Sequence, residues 1–168
     1  MKESIKTIGL FIILALVSVA GFAGALTDYA ENLSVDNMFR GVSYSATTPA
    51  NYHVALATSA CSDSASGTEV TGGSYARVAI ARATGTWNGT HGNTTGASSG
   101  TNGTISNASP ITFSAATADW GTVSHWEIKD ANTAGNAIVC AALTSSRTIT
   151  NGSTPAFAAG ALTVQVDN

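Results

Sequence analysis

The sequence predicts a mainly β protein: an antiparallel β-sandwich with one short N-terminal amphipathic helix, preceded by a hydrophobic signal or anchor helix. Several short runs alternate between apolar and polar residues with a period of two, which is typical of half-buried strands. Gly, Ser, Asn and Asp separate these runs, as in sandwiches and barrels. A helical apolar pattern occurs near the N-terminus, before the alternating runs begin.

Residues 1–25 are predicted to lie outside the folded domain. A positively charged start is followed by a stretch without charge, an apolar run over 8–20, and the small residues 23–25. This order is typical of a secretory signal peptide cleaved after Ala25. Two alternatives stay open: a membrane anchor through 7–25, because the run approaches the length of a bilayer span, and a buried or assembly-related helix. The remainder, 26–168, is predicted to be a single β-sandwich domain.

A short helix is predicted over 28–40. Asp28 and Glu31 place acidic side chains in its first turn, and Gly41 can end it in the left-handed conformation. Apolar residues follow at i, i+3, i+4 and i+7, namely Val35, Met38, Phe39 and Val42. We expect this stripe to pack against the strands that follow.

Five later runs predict strands, at 52–57, 76–81, 122–128, 137–141 and 162–167. Small side chains are frequent in these runs, so that the core needs bulk from aromatic residues. The expected core aromatics are Phe113, Trp120, Trp126 and Phe157.

The segment 84–109 consists almost entirely of Gly, Asn, Ser and Thr, and we predict a long loop there. Its only large side chains are Trp87 and His91, which are candidate surface-contact residues. A Trp among hydroxyls and amides is suited to stacking on a sugar ring. The alternative is that Trp87 ends the preceding strand and fixes the base of the loop.

Cys61 and Cys140 are the two cysteines of the chain. In an exported protein they can form a disulfide, and the alternative is two unpaired thiols. No CxxC or HxxxH motif is present and the three histidines are far apart in sequence, so no metal site is predicted.

Charge and motif content exclude two classes of function. The chain has 7 basic and 10 acidic residues, a net charge of −3, so it lacks the basic surface that nucleic-acid binding requires. It has no G-x-S-x-G elbow, and its acidic residues are scattered singly. We therefore predict neither an enzymatic activity nor a cofactor.

Five blocks of the sequence occur in an order that resembles a family of small phage tail fibre proteins. The blocks are 26–32 with 39–41, 52–58, 69–77, 115–125 with 130–131 and 135–136, and 158–164. The resemblance spans 26–167. Against the family pattern, the apolar segment before Leu26 is an addition, and the Gly/Asn/Ser/Thr-rich stretch is longer than usual.

The resemblance implies a structural virion protein, a tail fibre subunit that takes part in host attachment. Its expected partners are other virion tail proteins or copies of itself, and a glycan or protein of the host surface. Contact with a membrane is expected only through 7–25 if this segment is uncleaved. The signal-like segment favours an alternative: a secreted cell-surface adhesin or extracellular filament subunit. The expected location is therefore the virion tail, or the cell surface after export.

Tyr75 and Arg77 lie in the most distinctive block and share one face of a predicted strand. They are candidate residues for a surface or subunit contact. The alternative is structural: Tyr75 covers the edge of the core and Arg77 pairs with an acid such as Asp119, Glu127 or Asp130.

Overall fold

The structure, a computed structural model, describes residues 13–16, 25–42, 49–89 and 103–166. In chain order the elements are β1 (Ile13–Leu16), β2 (Ala25–Leu26), α1 (Asp28–Arg40), β3 (Asn51–Ala57), β4 (Val78–Ala81), β5 (Trp87–Asn88), β6 (Thr104–Asn107), β7 (Ile111–Thr112), β8 (Gly121–Lys129), β9 (Ala137–Ile149), β10 (Thr154–Phe157) and β11 (Thr163–Gln165). The predicted mainly β class with antiparallel sheets and a short helix is confirmed.

The largest sheet has five strands in the order β2-β9-β8-β3-β4, and all of its pairings are antiparallel. Its centre is β8, where Trp126 lies opposite Leu56 of β3 and Ala141 of β9. Trp126 and Ile128 face the core, as the alternation predicts. Buried residues of this sheet form much of the apolar core.

Two three-stranded sheets, β1-β10-β7 and β11-β6-β5, complete the fold. Residues of all three sheets belong to one apolar core. All four expected core aromatics are buried, namely Phe113, Trp120, Trp126 and Phe157. They are arranged edge-on in two pairs, with ring centroids 6.5 Å apart for Phe113 and Trp120 and 6.4 Å apart for Trp126 and Phe157.

Helix α1 has the predicted bounds, but its apolar stripe does not pack on the sheets. Thr27 is the N-cap, its hydroxyl accepting a hydrogen bond from Ala30 N, and Gly41 closes the C-terminus at φ 65°. Ala30 is the buried residue of the helix, whereas Met38 is 72% exposed and Phe39 78% exposed. The predicted packing of Val35, Met38, Phe39 and Val42 is therefore wrong. The helix contacts the domain through its first turns and its C-terminal half extends into solvent.

The N-terminal apolar segment is not a helix where the structure describes it. Ile13–Leu16 forms β1, which pairs in parallel with β10. The expectation of a hydrophobic helix is thus wrong for these four residues, because the segment finds an unpaired strand edge in the domain; 1–12 and 17–24 lie outside the described residues. Within the described ranges, no helix has the length and apolar character needed to cross a membrane.

The ends of the predicted 84–109 loop are strands. β5 and β6 pair antiparallel, with Trp87 opposite Asn107. Asn107 is fully buried, and its side-chain amide donates to the carbonyl oxygens of Ser109 and Ala158, both at 2.8 Å. Its Oδ1 accepts from Leu162 N at 2.8 Å. This strand pair was not predicted because its residues are mostly Gly, Asn, Ser and Thr and do not alternate between apolar and polar side chains. Residues 90–102 of the predicted loop lie outside the described residues.

Candidate functional site

Tyr75 and Arg77 are held inside a polar network of the scaffold. Arg77 forms a two-pronged ion pair with Glu69, with Nε–Oε1 and Nη2–Oε2 distances of 2.8 and 2.7 Å. The same guanidinium donates to the carbonyl oxygens of Ala131 and Ala134, and the Arg77 side chain is 6% exposed. The structural alternative therefore describes Arg77 better than a surface contact does, with Glu69 as its acid instead of Asp119, Glu127 or Asp130.

The Tyr75 hydroxyl completes this network. It accepts a hydrogen bond from Leu56 N at 2.9 Å and donates to Glu69 Oε1 at 3.0 Å. Burial would raise the pKa of Glu69, but the hydrogen bonds from Arg77 and Tyr75 outweigh it and hold the pKa below its ordinary value. Burial raises the pKa of Tyr75, which stays protonated as a donor. The sequence feature that could have identified the partner of Arg77 is Glu69, an acidic residue in the same block.

A second buried network ties the segment 58–70 to the large sheet. Cys61 and Cys140 are joined as a disulfide, with their Cα atoms 6.3 Å apart. Next to it, Lys129 Nζ lies 2.8 Å from Glu127 Oε2, and both side chains are almost fully buried. Glu127 Oε1 accepts from Gly67 N at 2.6 Å and Lys129 donates to Ser66 Oγ at 2.7 Å, so both charges are satisfied. The sequence did contain a sign of this network: Glu127 and Lys129 are two residues apart on one strand, so that their side chains lie on the same face.

Tyr75 and Arg77 line a cleft of about 400 Å³. His91 lies outside the described residues, and Trp87 lines a second cleft. This second cleft, about 480 Å³ in volume, opens between the five-stranded sheet and the β11-β6-β5 sheet. We call it the Trp87 cleft. Aliphatic side chains from both sheets line its walls, among them Leu26, Ile105, Ile128, Ile138, Val139 and Val164.

Two aromatic rings, those of Tyr52 and Trp87, and one cation, Arg82, line the Trp87 cleft. Trp87 Nε1 donates to Ala81 O at 3.1 Å, which satisfies its polar atom and fixes the ring. The Arg82 guanidinium carbon lies 5.4 Å from the centroid of the Tyr52 ring, within the range of a cation–π interaction. Arg82 Nη1 also donates to Pro49 O at 3.2 Å. Sequence reasoning missed Tyr52 and Arg82, because their pairing depends on the register of β3 with β4.

The residues that line the cleft can contact a ligand in two ways. Aromatic faces accept C–H groups of a ligand, and a guanidinium donates to carboxylate or phosphate oxygens. Asp28, Glu31 and Asp63 form an exposed acidic cluster at the start of α1, separate from the residues that line the cleft. The second group of metal-ligand types, Cys61, Glu127 and Cys140, is committed to the disulfide and to the ion pair with Lys129.

Comparison with known proteins gives one family. A family model described as Podophage GP4 fiber I protein gp80 matches residues 25–165, which covers β2 to β11. No curated protein is significantly similar to the chain.

Proposed function

Because this chain belongs to the podophage GP4 fiber I protein family, a family of structural phage fibre proteins, we propose that it is a tail fibre subunit that attaches the virion to the host surface through the Trp87 cleft. The single observation that supports this most strongly is the cleft itself. It combines two aromatic rings, a partly free cation and an apolar floor at the meeting of two sheets.

The position of the cleft also supports the proposal. Trp87 and Gly89 line it at the base of the Gly/Asn/Ser/Thr-rich segment, and β5 ends at Asn88. Binding residues are commonly carried at the ends of strands, where a rigid sheet fixes their position. By contrast, the polar atoms of Tyr75 and Arg77 form hydrogen bonds within the scaffold. The Trp87 cleft is therefore the better candidate for a binding site.

We propose a host surface glycan with an acidic group as the ligand. Trp87 and Tyr52 line the cleft and are half-buried, so the exposed parts of their rings can contact the C–H side of a sugar. The exposed Arg82, which lies over the Tyr52 ring, can pair with a carboxylate or phosphate. A protein receptor is the alternative partner. If the ligand is a glycan, enzymatic removal of surface carbohydrate from the host should abolish binding. If it is a protein receptor, binding should be lost after protease treatment of the cells.

The test is binding of the labelled full chain to host cells. Arg82→Gln removes the exposed cation of the cleft, and we expect cell binding to fall at least tenfold with an unchanged melting temperature. The matched control is Arg147→Gln, at an exposed position on β9 outside the cleft, which should bind as wild type does. Equal binding by both variants would refute the assignment of the cleft. Binding to cells unrelated to a phage host would favour the secreted adhesin instead.

A further inference from the structure

Strand β1 lies outside the part of the chain that the family model matches, whereas its partner β10 lies inside it. β10 is flanked by β7 on one side and by β1 on the other. Without β1, the family-matched domain would therefore present β10 as an open sheet edge. Such edges are templates for pairing with another strand.

The edge of β10 that faces β1 has all the backbone donors and acceptors needed to pair with another strand. Consecutive residues of a strand direct their N–H and C=O groups to opposite edges. Pro155 O accepts from Phe113 N on the β7 side, so Thr154 and Ala156 direct their backbone groups toward β1. Pro155, which has no N–H, falls on the β7 side. Its missing donor therefore does not weaken pairing at the acceptor edge.

The occupant of this edge also fills the core. Ile13–Leu16 pairs residue for residue with Thr154–Phe157, and Leu16 lies opposite Phe157. Both Leu16 and Phe157 are 0% exposed. The segment around β1 is uncharged and rich in Ile, Leu and Val, residues that favour strands and are costly to leave in water. Backbone pairing with β10 and burial of the Leu16 side chain therefore both favour Ile13–Leu16 as the strand at this edge.

We propose that the β10 edge is a strand-acceptor site that, in the assembled fibre, is filled by Ile13–Leu16 of a neighbouring copy of this chain. The same hydrogen bonds form whether the strand comes from its own chain or from another, because the contacts are identical. Residues 17–24 connect β1 to β2, which pairs with β9 in a different sheet. In a fibre, a neighbouring copy holds its segment close to this edge, so that it can compete with the chain's own segment for β10.

The donor segment and the acceptor edge are different surfaces, so each copy can give a strand to one neighbour and accept one from another. Interfaces of this type generate open filaments when their rotation does not close a ring. Strand exchange of this kind rests on membership of the fibre family and does not depend on the Trp87 cleft. It requires that residues 13–16 stay in the mature protein, and cleavage after Ala25 would remove the donor strand.

Cysteine pairing between copies tests the proposal. Ala15 and Ala156 are opposite each other in the register, so Ala15→Cys and Ala156→Cys are placed on two full-length chains carrying different tags and co-expressed. After oxidation we expect a disulfide between the two differently tagged chains, with peptides 15 and 156 linked in the mass spectrum. The control replaces Ala156→Cys by Ala79→Cys, at an exposed position on β4, and should give no such link.

Two results would overturn the proposal. In the double variant A15C/A156C, a link formed only within one chain would show that β1 stays with its own domain. An intact mass of the native protein that lacks residues 13–16 would show that the donor strand is removed. As an independent measurement, Leu16→Asn should lower self-association measured by light scattering, whereas Ala79→Asn should not; equal association by both variants contradicts the proposal.

Discussion

Glu69 is the residue on which the polar network of the 69–77 segment depends. Its carboxylate accepts hydrogen bonds from both Tyr75 and Arg77, and its pKa is lowered from the ordinary value of 4.5. A carboxyl with a lowered pKa in the native state contributes stability above its unfolded pKa and loses it as the pH falls through the folded value. The network should therefore weaken in acid.

We predict that Glu69→Gln lowers stability at pH 7 and that the difference from wild type narrows as the pH falls below 4.5. The reason is that wild type must then protonate Glu69, whereas Gln has no charge to lose. Urea unfolding at pH 7 and at successive acid pH values measures this. Two stability curves that stay parallel across the acid range would show that the Arg77–Glu69 pair does not contribute to the acid dependence.

Asn107 is the buried amide that holds β6 to the turn before β11. We predict that Asn107→Ala costs about 1–3 kcal/mol, because Leu162 N is buried and loses its acceptor. The carbonyls of Ser109 and Ala158 are at exposed residues, where water can replace the amide. Thermal melting measures the effect, with Asn132→Ala, at an exposed position, as the control expected within about 0.5 kcal/mol of wild type. Equal melting of both variants would contradict the role of Asn107.

Among the elements, β8 is the central strand of the five-stranded sheet, and its inward-facing residues belong to the core. Trp126 is fully buried at its centre and contacts the Phe157 ring edge-on. We predict that Trp126→Ala costs about 3–5 kcal/mol, the range for removing a large buried aromatic. The control is Val166→Ala, at a 69% exposed position that lines the Trp87 cleft, where a change of about 0.5 kcal/mol or less is expected. Chemical denaturation of both variants decides the matter: similar stabilities would mean that β8 does not organise the core.

The elements also show how far sequence reasoning reaches. The strands β3, β4, β8 and β11 and the bounds of α1 followed from local periodicity and capping, which depend on neighbouring residues. The exposure of Phe39 could not be predicted from the sequence. The spacing of an apolar stripe shows that a helix is amphipathic, but it does not show whether the domain covers the stripe. The β1–β10 pairing could not follow either, since it joins residues at opposite ends of the chain.

The candidate site was predictable only in part for the same reason. Trp87 stood out as a large residue in a stretch of small polar ones. Tyr52 and Arg82 have no local signature, and they enter the Trp87 cleft only through the pairing of β3 with β4. Tyr75 and Arg77 were conspicuous as a pair, yet their partners Glu69 and Leu56 explain them as scaffold.

At the scale of the described residues, two polar networks stabilise the scaffold, and the cleft that we propose for recognition lies elsewhere on it. The Cys61–Cys140 disulfide and the Glu127–Lys129 pair fix the 58–70 segment, and the Arg77 network fixes 69–77. The Trp87 cleft lies apart from both networks, at the meeting of two sheets. Changes to Arg82, the exposed cation of the cleft, should therefore alter the proposed recognition with little effect on the fold.

Competition for phage adsorption tests the central claim, that this fibre protein attaches to the host through the Trp87 cleft. Host cells are incubated with the purified full chain, phage is added, and the adsorption rate is measured. We predict that wild-type protein slows adsorption in a dose-dependent way, and that the Trp87→Ala/Arg82→Gln variant, checked to be folded by its far-ultraviolet circular dichroism, does not. Equal inhibition by both proteins, or no inhibition by the wild type, would contradict the account.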